Sequence, residues 1–350
     1  MQGLKRSGIV VLLTLGAIGV AGAIAAHTVL DTRALRKDDG SWEDIYYAWR
    51  EGQRITQGVN PYGFVLEGDT HENAGFYATY FPLFYLLSAA TQKLGLSDFD
   101  RWVSFWRLVF LLCDVAIAIL LFHALHRDGR GVLGVFAMGF WLFNRWTLRV
   151  VAIAHLDFPP LLLLLASLML IRKRPIVSCL LFGVSLALKQ IAIFTAPLYL
   201  VWLWQSRPER RAVRTLVGLL AAAAVPVAAS IPFLIWNAKA YLVSVFFSVT
   251  RSAADHFSAP SLDAMLRDHG VAVEGIAARL PLLVLMLLIY VAAARRKVGV
   301  YTSVLLVMST FLCFNPVLFR QYIVWALPFT PLCALDGEGR DVSPRVTPAS

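Results

Sequence analysis

What constrains this chain most is a succession of apolar runs, several close to 20 residues long, separated by short clusters of arginine and lysine. The runs cover 8 to 30, 104 to 125, 131 to 147, 153 to 171, 215 to 236, 279 to 294, 298 to 314 and 320 to 335. An α-helix needs ~20 apolar residues to cross a ~30 Å hydrocarbon core. Lipid offers no partner for bare backbone polar groups, and the alternating pattern of a membrane β-barrel is absent. The predicted fold is therefore an all-α polytopic membrane protein. Composition agrees: 58% of the 350 residues are hydrophobic and 15% charged, against about 25% charged in a soluble domain. The mean hydropathy is +0.66.

Topology follows from the cations. Lys5 and Arg6 precede the first run, whose ~23 residues exceed the 7–15 of a signal h-region, so it reads as an uncleaved helix despite the small residues Ala23 to Ala26. Clusters at His126 to Arg130, Arg172 to Arg174, Arg207 to Arg214 and Arg295 to Lys297 are placed in the cytoplasm by the positive-inside rule. Parity between them predicts about ten crossings of the plasma (inner) membrane. It also predicts long external loops at 31–103 and 237–278. One membrane domain, 1–335, is then followed by a polar cytoplasmic tail, 336–350. The aromatic, proline-containing stretch from Phe76 to Leu96 reads as interfacial, and Lys189 as the break in a short hairpin. The net charge of +10 is thus a topology signal and implies no nucleic-acid partner. Cys113, Cys179, Cys313 and Cys333 all lie in apolar runs, without metal-ligand spacing. No internal repeat is evident.

This topology gathers the unexplained polar residues on the outer face. They are Asp38, Asp39, Glu43 and Asp44; Asn144, Arg145, Arg149, His155 and Asp157; Lys189; Arg251, Asp255 and His256; Asn315, Arg320 and Gln321. Singly, each has a bland reading as a solvated loop charge, a snorkelling side chain or a hydrogen-bonded pair. Together, ionisable groups of both signs at membrane depth mark a functional path.

Several of these residues sit in recognisable segments. Glu43-Asp44-Ile45-Tyr46-Tyr47-Ala48, then Gly58-Val59-Asn60-Pro61-Tyr62, then Tyr80-Phe81-Pro82-Leu83-Phe84-Tyr85 resemble the first external loop of GT-C integral-membrane glycosyltransferases. Among these, the similarity is greatest to polyprenyl-phosphate-mannose-dependent mannosyltransferases, including the enzyme that adds the first mannose to GPI anchors. Trp141 to Asn144, Asp157, Gly183 to Lys189 and Asn315 to Trp325 follow the same family order, so the resemblance spans about 8–335. The chain departs from it at His155-Leu156-Asp157, where relatives often have a Gly-rich or Glu-containing turn.

The resemblance implies sugar transfer with inversion from a polyprenyl phosphate, most simply of mannose, to a hydroxyl of a lipid, glycan or protein acceptor. A carboxylate then removes the acceptor proton. Asp44 matches the family's acidic-aromatic position, with Asp38 and Asp39 as alternatives. The leaving phosphate gains charge and calls for cations, for which Lys189, Arg251 and Arg320 are the candidates. His155, Asp157 and His256 are candidates for orienting sugar or acceptor, and Asn315 and Gln321 belong to the late motif. No nucleotide-binding fingerprint is present. No cofactor or metal is implied, with a divalent cation left open. The competing readings are a transporter or lipid flippase, since buried charges and broken helices also mark substrate paths, and a non-catalytic assembly subunit.

Overall fold

Among the described residues most of the apolar runs fold as helices. The computed structural model describes residues 43–67, 78–205, 210–250, 275–315 and 318–336, together with Gly16, Gly19, Leu35, Met265, Leu266 and 269–271. Among these residues there are twelve α-helices and no strand. In chain order they are α1 (Asp44–Thr56), α2 (Leu83–Lys93), α3 (Phe99–Arg127), α4 (Gly131–Phe143), α5 (Arg145–Ala152) and α6 (Phe158–Leu170). There follow α7 (Pro175–Leu188), α8 (Ala196–Gln205), α9 (Arg211–Thr250), α10 (Gly275–Ala294), α11 (Val300–Phe314) and α12 (Phe329–Leu332).

Two helices, α3 and α9, are long and apolar enough to cross a membrane. Both leave large apolar side chains exposed, Leu108, Leu112 and Ile119 on α3 and Leu216, Leu220 and Ile235 on α9, a surface suited to lipid rather than water. The apolar helices α4, α6, α7 and α11 have 13 to 15 residues, which is shorter than a full hydrocarbon crossing. The run at 320–335 is the clearest departure from a regular span. It forms a 3₁₀ turn, Arg320–Trp325, the single-turn α12 and a second 3₁₀ turn, Cys333–Asp336. Pro328 and Pro331 each remove a backbone donor there, which prevents a continuous helical ladder. The first run, 8–30, lies outside the described residues apart from Gly16 and Gly19.

The sequence sets the helix boundaries locally. Asp98 caps α3 by accepting from the Arg101 N–H at 3.1 Å, and Asn144 caps α5 by accepting from Trp146 and Thr147. Pro159 and Pro160 open α6 and Pro175 opens α7, where proline forfeits no helical bond. The expected break at Lys189 is present: its backbone is extended, φ −153° and ψ 128°, and a 3₁₀ turn, Gln190–Thr195, links it to α8.

Tight crossings fix the layout. Gly183 of α7 approaches α9 so closely that a Cβ would collide with the Ala222 carbonyl oxygen, the small-residue contact by which helices associate without a hydrophobic driving force. Part of the long first loop is itself helical. α1 buries Ile45, Ala48 and Gly52 along one face, and at Gly52 a Cβ would strike the Ser88 hydroxyl of α2. The Gln92 amide donates to the Trp49 carbonyl at 2.8 Å and locks the pair. Buried Glu51 is neutralised by Arg50 and Arg54.

α9 is broken at Asn237, φ −162° and ψ 94°. The Asn237 side chain accepts from the Ala240 N–H at 3.0 Å and restarts the helix, which runs on to Thr250. The start of the expected external loop 237–278 is therefore helical, and it packs back on the first loop. Tyr62, fully buried, meets Phe233 and Tyr241 edge-on and donates its hydroxyl to the Tyr80 carbonyl at 2.8 Å.

The connectivity gives the bundle two chemically different ends. α6 starts beside Asp157 and finishes at Arg172; α7 starts beyond Arg174 and finishes at Lys189; α11 starts after Lys297 and finishes at Asn315. Asp157, Lys189 and Asn315 therefore lie toward one end and Arg172, Arg174 and Lys297 toward the other. A 13-residue helix sets them about 20 Å apart.

Candidate active site

The first-named end holds a continuous polar chain. α1 begins at Asp44, whose side chain is 43% exposed, and Asp44 Oδ2 lies 2.8 Å from His155 Nε2. His155 Nδ1 is 2.6 Å from Asp157 Oδ2. Asp157 Oδ1 accepts from Lys189 Nζ and from the Trp325 indole N–H, each at 2.6 Å. His155, Asp157 and Lys189 are buried, so each charge in this chain is answered by a neighbour, as burial requires.

Four separate elements deliver these groups. α5 ends in a two-bond reverse turn: the Ala154 N–H donates to Val151 O at 3.0 Å and the His155 N–H to Val150 O at 3.0 Å. Ala154 thereby takes φ 48°, the left-handed conformation that helix ends normally assign to glycine. That strained residue aims His155 into the site. Asp157 stands just before α6, Lys189 just after α7, and Trp325 closes the 3₁₀ turn before α12.

His155 faces a carboxylate on each side, Asp157 at Nδ1 and Asp44 at Nε2, an arrangement that favours the charged ring, while the Lys189 ammonium lies 3.3 Å from Nδ1. His155 and Asp157 occupy the turn between α5 and α6, outside any spanning helix. Burial and the neighbouring Lys189 ammonium oppose the His155 charge. Asp157 and Asp44 outweigh them and hold its pKa above the ordinary value. For Asp157, burial works against ionisation, but Lys189 and His155 keep the carboxyl well below its usual range. The Lys189 ammonium also lies 5.7 Å from the Tyr80 ring and 5.4 Å from the Tyr322 ring, within reach of both faces.

The structure thus brings Asp44, His155, Asp157 and Lys189 into one unit, and the Gln321 amide comes to 3.5 Å from His155 Nε2. Arg320 is exposed and opens the turn that carries Gln321, Tyr322 and Trp325, while Asn315 caps the end of α11. Arg251 and His256, with Asp38, Asp39 and Asp255, lie outside the described residues. Asn144 serves as the cap of α5, and Arg149 pairs with Glu43 at 3.1 Å, steadying the residue before Asp44. Among the described residues no group of three or more His, Cys, Asp or Glu side chains is arranged to hold a metal ion.

Trp325, Tyr80 and Tyr322 were legible in the sequence as members of aromatic motifs, but not as partners of Asp157 and Lys189. Their signal is the polar edge or electron-rich face that an aromatic ring offers a buried charge. No family model, curated protein or solved structure matches this chain.

Proposed function

We propose that this chain is a multi-pass membrane glycosyltransferase with about ten crossings of the plasma membrane. In this reading it moves a sugar, most simply mannose, from a polyprenyl phosphate to an acceptor hydroxyl on the extracytoplasmic face. The observation that carries the reading is the half-exposed Asp44 backed by the buried sequence His155, Asp157, Lys189 and Trp325. A general base must reach substrate while its protonation is governed from behind, and Asp44 alone in this unit combines both properties.

In the proposed reaction Asp44 accepts the acceptor's hydroxyl proton as the new oxygen–carbon bond forms at the anomeric carbon. The bond from that carbon to the phosphate oxygen breaks, and its electron pair leaves with the phosphate. His155 fixes the orientation of Asp44 and balances its charge. Asp157 holds the imidazolium in place and is itself fixed by Lys189 and Trp325. Lys189 enters this reading as a positioning residue, since its ammonium faces Asp157. Contact with the departing phosphate falls to exposed Arg320, whose planar fork suits two phosphate oxygens, with Arg251 as the second cation.

The test is incubation of purified protein with a labelled polyprenyl-phosphate sugar and a membrane lipid extract. Label should appear in an acceptor with wild type and be lost with Asp44→Asn. A second reading draws on the same observation, because a string of titratable groups from an exposed acid to a buried lysine is also the chemistry of a proton-coupled transporter. Proteoliposomes that move a lipid-linked sugar across the bilayer without transferring it would select that alternative.

A further inference from the structure

At the end of the bundle opposite Asp44, a cleft of about 390 Å³ opens where α6, α8 and α10 finish and α11 begins. Arg172, just past α6, and Arg296, just past α10, line it from different elements. Both are exposed, and neither forms an ion pair among the described residues.

The backbone at Arg296 is unusual. α10 ends in a two-bond reverse turn, with the Arg296 N–H donating to Ala293 O at 2.9 Å and the Lys297 N–H to Ala292 O at 2.8 Å. Arg296 sits at φ 55°, in the left-handed position that such turns reserve for glycine. Glycine would close the same turn without strain, but it would bring no guanidinium to the cleft wall.

Two of the acceptor groups nearby are engaged within the fold. The Gln205 amide donates to Ala294 O at 2.8 Å, covering a carbonyl at the negative end of α10. Asp336 Oδ2 accepts from the Thr302 N–H at 2.7 Å, so the one carboxylate of the wall is held at the start of α11. The charged lining is two guanidiniums against one carboxylate, net cationic, beside an apolar wall that includes Ile171 and Trp202.

We propose that this cleft binds a phosphate-bearing anion between the guanidinium groups of Arg172 and Arg296. Two forks from separate helices suit the oxygens of one phosphate, and basic pockets between membrane helices take lipid headgroups in the same way. The phosphate is supplied either by an anionic phospholipid or by a free phosphate ester, and the apolar wall suits the glycerol and first methylenes of the former. The site is distinct from the Asp44 unit and stands whether or not the chain transfers sugar.

The experiment uses purified full-length protein in detergent. One arm counts phosphatidylglycerol and phosphatidylcholine adducts by native mass spectrometry; the other follows thermal unfolding against inorganic phosphate. Wild type should retain phosphatidylglycerol on the order of tenfold better than phosphatidylcholine, and Arg172→Gln with Arg296→Gly should abolish that preference. Arginine-dependent stabilisation by inorganic phosphate with no lipid preference would assign the same site to a free phosphate ester. Lys173→Gln with Lys297→Gln removes equal charge beside the cleft and should leave binding intact. Arg296→Gly keeps the turn, so it should unfold no earlier than wild type in ligand-free detergent while binding less. Equal loss in the lysine control, or wild-type binding of both anions after both arginines are replaced, overturns the proposal.

Discussion

His155 Nε2 and Asp44 Oδ2 lie 2.8 Å apart although 111 residues separate them in the chain. The contact joins the first turn of an amphipathic loop helix to the strained turn between two bundle helices. The acid of the first loop is thereby tied to the ionic interior through a single imidazole.

Asp44→Asn is expected to lower sugar transfer by about 100- to 10,000-fold, the range for loss of a general base. Asp44 is partly exposed, so folding should survive. Turnover with labelled polyprenyl-phosphate sugar, read beside the unfolding midpoint, checks both halves. Retention of more than about a tenth of wild-type turnover would move the role to Asp38 or Asp39.

Lys189→Met should destabilise the protein by about 3–5 kcal/mol, because it takes the ammonium partner from the buried Asp157 carboxylate and leaves His155 and Trp325 to hold it. Replacing both partners, Lys189→Met with Asp157→Leu, should recover part of that loss and no more, since it removes the buried carboxylate but leaves His155 Nδ1 and the Trp325 N–H without their acceptor. Denaturant midpoints of the two variants decide it. A double variant no more stable than the single one would mean that packing, and not charge pairing, sets the value of Lys189.

The two turn residues give stability opposite pH dependences. His155 has a folded pKa above its ordinary 6.5, so its contribution is complete below that pH and is lost as the pH rises through the folded value. Asp157 is held below its ordinary 3.8, so its contribution is present above that pH and is lost as the pH falls toward the folded value. In thermal unfolding between about pH 5 and 9, the advantage of wild type over His155→Gln should shrink on the alkaline side. An advantage that is constant with pH would rule out an imidazolium at this position.

Ala154→Gly should raise stability by up to about 1 kcal/mol. Relief of the left-handed alanine outweighs the added freedom of glycine in the unfolded chain. Transfer should fall modestly as His155 loses its fixed bearing. A glycine variant that unfolds earlier than wild type would contradict the strain assigned to this turn.

The sequence by itself determined the helical class, because long apolar runs without period-two alternation satisfy their backbone polar groups within a helix. It also marked the break at Lys189, since a charge in an apolar run acts on its immediate neighbours. Asp44, His155, Asp157 and Lys189 were legible as costly polar residues bound to one face. Their pairing was decided only by the tertiary structure: which oxygen meets which nitrogen depends on how α1, the turn after α5 and the end of α7 converge. The same holds for Trp325 at Asp157, for the irregular turns at 320–335 and for the left-handed Ala154 and Arg296. Each reflects packing between segments distant in the chain, or a local strain that such packing sustains, and neither is encoded in hydropathy or spacing.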